Sequence, residues 1–416
     1  MKKPLPQHWR ICFVTQKFPQ SEFADDYGYL WSLAQQLVAR GHEIIVITAE
    51  HHVANAIQNV NGIQIHYLGS SFSGDPSFSS KEAALDRVEE LHLEKQIDLI
   101  HCVDNVGLNI ALNKKTLNIN LAVDVNVIQL DQIFGILGMT EENFLSYFRT
   151  CWAVGFRFMK SFFGEEHKQL ARADGIFVGS HQQRDILERY YYIPSRKTYV
   201  IPFGIDTRGF KPIDTKAQIL EKLEIEPDTK IILTVTPMDN AEETKNLLTA
   251  FERVVIKKPK TALIIAGDGP KRRELEFHTL HLALASKVHF TGTLPPEEIN
   301  VYINASDAYV NLYSKSSGFE PTVLEAMACS KTVIASEVGT SSNIIENGVD
   351  GFLLRPTEIG TLSRLLLEIV SGQIDTKSIG ERTRQKILKM FDTKWMVDET
   401  IQAYQNILLS TGKYKK

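Results

Sequence analysis

Short apolar runs alternate with amphipathic stretches along most of this sequence, and that rhythm leaves few folds open. Arg10 to Thr15 (RICFVT) is a short apolar run of the kind a strand covered on both faces of a parallel sheet needs. A polar loop follows, then Leu30, Leu33, Ala34, Leu37 and Val38 at helical spacing. Gly41 ends that helix, and Glu43 to Thr48 (EIIVIT) is the next strand. Strand, helix and strand form a βαβ unit, which implies a parallel sheet with helices packed on it. The alternation continues through Ile63 to Tyr67, a helix near residues 81–94, Asp98 to Cys102, a helix near residues 107–114, and the apolar run 120–127. Gly175 to Ser180 and Thr198 to Pro202 read as the last strands of this series.

A turn-rich link, Phe203 to Asp206 with Pro212 soon after, separates a second series of the same kind. It runs through Lys230 to Val235, a helix reaching Phe251, Thr261 to Ala266, a loop Gly267-Asp268-Gly269-Pro270, and Lys287 to Phe290. At 416 residues the chain is long for one core and fits two domains of about 200 each. The fold class is α/β, with two doubly wound, Rossmann-like domains facing a cleft. The division expected is 1–206 and 207–391, with a terminal helix in 392–416. Ligands of such sheets bind beyond the carboxyl ends of the strands, so the loops after Val14, Ile100, Val235, Ala266 and Leu312 are expected to face the cleft.

Composition excludes some functions. With a net charge of −4 and 23% charged residues, the chain lacks the basic surplus of a general nucleic-acid binder. Its four cysteines stand apart without metal-ligand spacing and read as buried free thiols. No leader-like apolar segment opens the sequence, and no uninterrupted apolar stretch of about 18 residues occurs. A cytoplasmic protein is expected.

Within the second series, Tyr309 to Gly339 combines a strand, a small-residue loop and a short helix from Pro321 to Cys329. Pro321 suits a first helical turn, where the amides of Thr322 and Val323 are donors without a helical partner. A helix N-terminus carries roughly half a positive charge, so this turn fits the phosphate of a small molecule. Glu325, one turn in, is placed to accept hydrogen bonds from a ribose diol.

Residues 143–173 break the alternation with what reads as one long helix. Leu145, Phe148, Trp152, Phe156, Met159 and Phe163 give it a broad aromatic face, with Arg149, Arg157 and Lys160 among them. Two readings stand. The face packs on its own sheet, or residues 143–163 touch a membrane or a lipid-linked acceptor.

The motifs also carry a resemblance. GFEPTVLEAMAC followed by NGVDGFLL is similar to the donor-site signature of family 4 of the retaining glycosyltransferases, which share the GT-B fold. LAQQLVARGHEIIVIT, IDLIH, GSHQQRDIL, VIPFGIDTRGFKP, LIIAGDGP and FDTKWMVDETIQAYQNIL resemble further family segments in the same order. The resemblance implies an acceptor-side first domain, a nucleotide-sugar donor domain, and a terminal helix crossing back to the first domain. It implies transfer of a sugar with retention to an alcohol, lipid or carbohydrate acceptor, with neither metal nor cofactor. Donor-binding positions carried over are Glu325, Thr322, Val323 and Gly318, with Gly267 and Gly269 in a nearby loop and Thr293 and Leu294 near the base.

The chain departs from the family where catalysis is expected. The first acid of the signature falls on Ser317, and a serine cannot offset positive charge developing on the transferred sugar. Glu320 stands where a small residue is usual. The cations that clamp the diphosphate fall on Pro237 and Glu242, with Lys245 one turn further on. The glycine pair after the first strand is replaced by Ala24-Asp25-Asp26, with Gly28 nearby, and a histidine near the sugar by Asn126; His101 on the preceding strand remains. Catalytic candidates are therefore Glu320, Lys245 and Ser317, with Lys315 beside them. Two readings follow: an active transferase with an altered site, or a catalytically silent homologue binding a nucleotide sugar or a partner protein.

Overall fold

The computed structural model describes residues 3–19, 28–48, 56–68, 76–126, 128, 164–313, 321–337, 341–412 and 414–415. They belong to two compact units, Met1–Gly204 with Thr393–Lys416, and Ile205–Asp392.

The first unit contains β1 (Lys3–Pro4), β2 (Arg10–Thr15), β3 (Glu43–Thr48), β4 (Ile57–Val60), β5 (Ile63–Tyr67), β6 (Leu99–Val103), β7 (Leu121–Val125), β8 (Gly175–Val178) and β9 (Thr198–Val200). Eight of these strands form one sheet in the order β4-β5-β3-β2-β6-β7-β8-β9. All its pairings are parallel except β4 with β5. Every residue of β2 is buried because both faces are covered. Ile11 and Phe13 pack with the helices Gly28–Ala39 and Thr393–Ser410. Cys12 and Val14 face the other way, toward Val88, Ile110, Leu170 and Leu187 of four more helices. A side-chain period of two thus builds two cores from one strand.

The antiparallel β4 was not expected from its sequence. Its signal was the Asn61-Gly62 pair, which turns the chain with φ 51° and 82°, the left-handed pair a tight hairpin requires. The long helix expected over residues 143–173 is also corrected within the described part. Residues 143–163 lie outside the described residues, and the helix present is Glu165–Arg172, starting after an extended Gly164 at φ −79°, ψ −172°.

The second unit holds β10 (Lys230–Val235), β11 (Thr261–Ala266), β12 (Val288–Gly292), β13 (Ala308–Asn311), β14 (Val333–Ser336) and β15 (Phe352–Leu354). Their order is β12-β11-β10-β13-β14-β15, parallel throughout. The chain winds outward from β10 to β12, then restarts beside β10 at β13. That reversal opens a crevice at the carboxyl edge between β10 and β13.

The last helix, Thr393–Ser410, belongs to the first unit although it follows the second in sequence. Its Tyr404 is fully buried and bonds His101 Nδ1 at 2.5 Å, and Met396 Sδ accepts from the Gly204 amide at 3.1 Å. Ile407 lies so close to Gly175 that a Cβ there would meet its Cδ1 at 2.3 Å. The chain ends in β16 (Tyr414–Lys415), paired with β1, and Tyr414 donates to Asp98 at 2.8 Å. Tyr404→Ala is therefore expected to destabilise this unit by about 3–5 kcal/mol, read from its urea transition.

Candidate functional site

Because every strand of the second sheet runs the same way, the ends of β10, β11, β12 and β13 share one edge. There the loops after β10 and β11 stack backbone on backbone. Thr236 N donates to Ala266 O at 2.9 Å, Gly267 N to Gly292 O at 2.8 Å, and Lys271 N to Met238 O at 3.0 Å. Gly267 has φ 117°, and a Cβ on it would lie 1.9 Å from Thr236 O; one on Gly269 would lie 2.0 Å from Pro237 O. Glycine at both positions is thus demanded by the neighbouring loop itself, before any ligand is considered.

The helix Pro321–Ala328 presents its first turn at the same edge, after β13. Val323, Leu324, Ala326, Met327 and Ala328 are buried, and Glu325 is the charged exception, 8% exposed. Its Oε2 has no hydrogen-bond partner, and burial pushes the carboxyl up to about 8. A carboxyl in that position is neutral in neutral solution and ready to take hydrogen bonds from hydroxyl donors. At the opposite end, the Arg384 guanidinium bonds the carbonyl of Ala328 and, at 3.2 Å, that of Phe210, so a cation meets the negative end of the helix. Thr322 is half-buried in the first turn, while Thr293 is exposed after β12 and Leu294 packs on the same core as this helix. Ser317, Gly318, Glu320 and Lys315 lie outside the described residues.

The crevice between β10 and β13 is lined by Thr234, Thr236, Glu243, Thr244, Asn311 and Tyr313 among others. None of these six was named individually from sequence, although Thr236 and Tyr313 open the loops after Val235 and Leu312 that the sequence placed at the ligand edge. The usable signal was topological, since they lie at the ends of the two strands flanking the reversal and at the start of the helix Ala241–Lys257. Among the described residues, a carboxylate, Glu243, and no cation lines this crevice. Lys245 is turned to the neighbouring helix Arg272–His281, with Nζ 2.6 Å from Glu274 and 3.5 Å from Glu242. Those bonds raise its pKa, chiefly through Glu274, and hold it as a surface ion pair. Pro237 and Glu242 are exposed.

In the first unit, His101 is a core residue. It lies among Phe13, Phe177 and Tyr404, and burial pulls it down to about 3, so it is neutral. Asp124, on the next strand, is pushed up by burial to about 7 and accepts from Tyr29 at 2.7 Å. Asn126 follows at the carboxyl edge, its backbone amide donating to Asp104 at 3.2 Å. Asp104 itself has φ 56°, a strained left-handed backbone for a non-glycine residue. Gly28 starts the first helix, and residues 24–26 lie outside the described residues. Among the described residues, no group of three or more His, Cys, Asp or Glu side chains is placed to hold a metal ion. No described helix is long and apolar enough to cross a membrane.

Two family models match this chain without overlap. Residues 29–208 match Glycosyltransferase Family 4, and residues 215–386 match Glycosyl transferases group 1. The chain belongs to the family 4-like glycosyltransferases of GT-B fold. Among family relatives, the alpha-monoglucosyldiacylglycerol synthase of Streptococcus pneumoniae is 25% identical over 77% of this chain and 70% of its own. The gpi3 subunit of the Schizosaccharomyces pombe phosphatidylinositol N-acetylglucosaminyltransferase is 19% identical over 91% of this chain and 77% of its own. Among solved structures, the sucrose-phosphate synthase of Thermosynechococcus elongatus superposes with a TM-score of 0.74 at 19% identity, covering 96% of this chain and 100% of that one. Anabaena HepE in complex with UDP gives 0.69 at 17% identity, covering 95% and 99%.

Two expectations follow from the site's geometry. Gly267→Ala should destabilise the second unit by about 2 kcal/mol or more in the absence of any ligand, because the residue combines positive φ with a backbone clash; urea titration reads this. Glu325 also ties stability to pH. Its folded pKa of about 8 stands above the ordinary 4.5, so between those values the folded state keeps a proton that the unfolded state has released. Stability should then fall by about 1.4 kcal/mol per pH unit across that window, with the full loss present above it. Glu325→Gln should remove this slope, so its melting temperature should gain on that of the unsubstituted protein as pH rises toward 8.

Proposed function

We propose that the protein transfers a sugar from a nucleotide diphosphate donor, with retention of configuration, and that the donor sits at the carboxyl edge of the Ile205–Asp392 unit. The observation that carries this reading is the buried, unpartnered Oε2 of Glu325, one turn inside a helix whose first amides face the same edge. A ribose diol supplies a hydroxyl donor for that unpartnered oxygen, and the first-turn amides of Thr322 and Val323 suit the diphosphate. Anabaena HepE, of the same fold, has been solved with UDP and with UDP-glucose, which supports a nucleotide donor here. Gly267 and Gly269 bring the neighbouring loop close, with Thr293 and Leu294 toward the base; Gly318, a further donor position of the motif, lies outside the described residues. Relatives named for glucosylating a diacylglycerol lipid and for acting on phosphatidylinositol favour a lipid-linked acceptor, with a carbohydrate as the other candidate.

A second reading has its own support. The diphosphate gains negative charge as it leaves, and a transferase without metal offsets it with side-chain cations. Here the described crevice offers Glu243, and Lys245, a candidate cation, is engaged by Glu274. Those features suit a silent homologue that binds a nucleotide sugar without turning it over. In an active enzyme Glu320, Ser317 and Lys315 would have to supply the missing contacts.

One titration tests both readings. A panel of nucleotide diphosphate sugars, followed by thermal shift and by release of free nucleotide, should give binding with at least one donor. Binding with slow hydrolysis supports the transferase; binding with none supports the silent homologue; no shift with any donor removes both. Glu325→Ala should abolish the shift, whereas Lys245→Ala should leave it within about twofold, because that lysine is spent on an exposed ion pair. Hydroxyl donors favour the ionised carboxyl, so affinity should tighten as pH rises toward 8, by at most about tenfold per unit.

A further inference from the structure

Two neighbouring helices of the second unit, Ala241–Lys257 and Arg272–His281, are joined side by side by the Lys245–Glu274 ion pair. Their inward positions, Phe251, Val254, Leu275 and Thr279, are buried against the sheet. Their outward positions are unusual for a solvent face. Ile256 is 74% exposed, Phe277 73% and Leu280 63%. Arg273, Phe277 and Leu280 follow one another at steps of four and three residues, so they form one stripe on the shorter helix. The first helix carries Arg253 near its end and Lys257 as its last residue, and Lys258 and Lys260 follow it, all four exposed.

The charges divide into two sets. Lys245, Lys271 and Arg272 are each held by Glu274, Asp268 or Glu276. Arg253, Lys257, Lys258, Lys260 and Arg273 have no ion-pair partner among the described residues. One lysine at a helix C-terminus is accounted for by the helix dipole. Four cations within eight residues exceed that need, and they stand out in a chain whose net charge is −4.

We propose that this face docks the protein on an anionic membrane surface. Exposed aliphatic and aromatic side chains beside unpaired lysines and arginines match the two terms of peripheral binding, insertion at the headgroup boundary and attraction to acidic lipids. A nucleic acid would use the cations but gains nothing from Ile256 and Leu280, which favours lipid. Among the described residues no helix can span the bilayer, so the contact is a surface one. The inference is independent of the donor site and of turnover, and it concerns a surface other than residues 143–163.

Flotation of the full chain with vesicles of phosphatidylcholine, with or without phosphatidylglycerol, tests it. Binding is expected only with phosphatidylglycerol and should weaken with added salt, since exposed charges are screened. Lys257→Glu with Lys258→Glu should lower partitioning about tenfold or more, and Phe277→Ser with Leu280→Ser should do the same. Lys115→Glu with Lys377→Glu, an equal charge change at exposed positions elsewhere, should leave it within about twofold. Circular dichroism confirms that each variant folds. No binding to acidic vesicles overturns the proposal, as does binding of the two patch variants at the unsubstituted level. A dimer in light scattering that the Phe277 and Leu280 substitutions dissociate, without vesicle binding, also overturns it, because a second copy would then cover the face.

Discussion

A parallel sheet cannot leave a face in water, and each unit of this protein is arranged around that constraint. Strand residues point alternately to either side, so β2 and β11 are buried along their whole length and need helices on both faces. In the first unit one of those faces is completed by the last helix of the chain. Without Tyr404, Ile407 and Met396, the side of the sheet carrying Phe13, His101 and Phe177 would be open. The order of strands then fixes where chemistry can occur. Winding out from β10 and restarting at β13 leaves the edge between them uncovered by any crossover.

The candidate site is built at that edge from backbone more than from charge. Gly267 and Gly269 allow two loops to stack, and the helix Pro321–Ala328 turns its first amides the same way. Glu325 is the charged exception among the buried residues of that helix, and its burial holds it neutral until a hydroxyl partner offsets the cost. These parts suit the nucleotide half of a donor. The cationic parts that would serve the leaving diphosphate are absent from the described crevice: Glu243 lines it, and Lys245 is drawn outward by Glu274.

Much of the fold was legible because its signals are local. Apolar runs such as RICFVT and TALIIA, Gly41 after a helix, and Pro321 at a first turn each encode an element within a few residues. The β4–β5 hairpin is equally local in its Asn61-Gly62 turn, yet β4, with three of its four residues exposed, carries only a weak apolar pattern. The helix expected across residues 143–173 shows the opposite error. Aromatic periodicity suggested one continuous element, but the backbone at Gly164 is extended, and the helix begins at Glu165.

The sequence by itself determined the alternation of strands and helices, hence two doubly wound units, and it singled out Glu325 with the turn before it. Those features follow from side-chain period and turn chemistry, which act over a few residues. Only the tertiary structure decided which face each side chain meets. It gave Gly267 and Gly269 a backbone neighbour, tied Lys245 to Glu274, placed Thr234, Thr236 and Asn311 on one crevice, and set Tyr404 against His101, 303 positions away. Such contacts join segments distant in the chain, and no local pattern of residues specifies them.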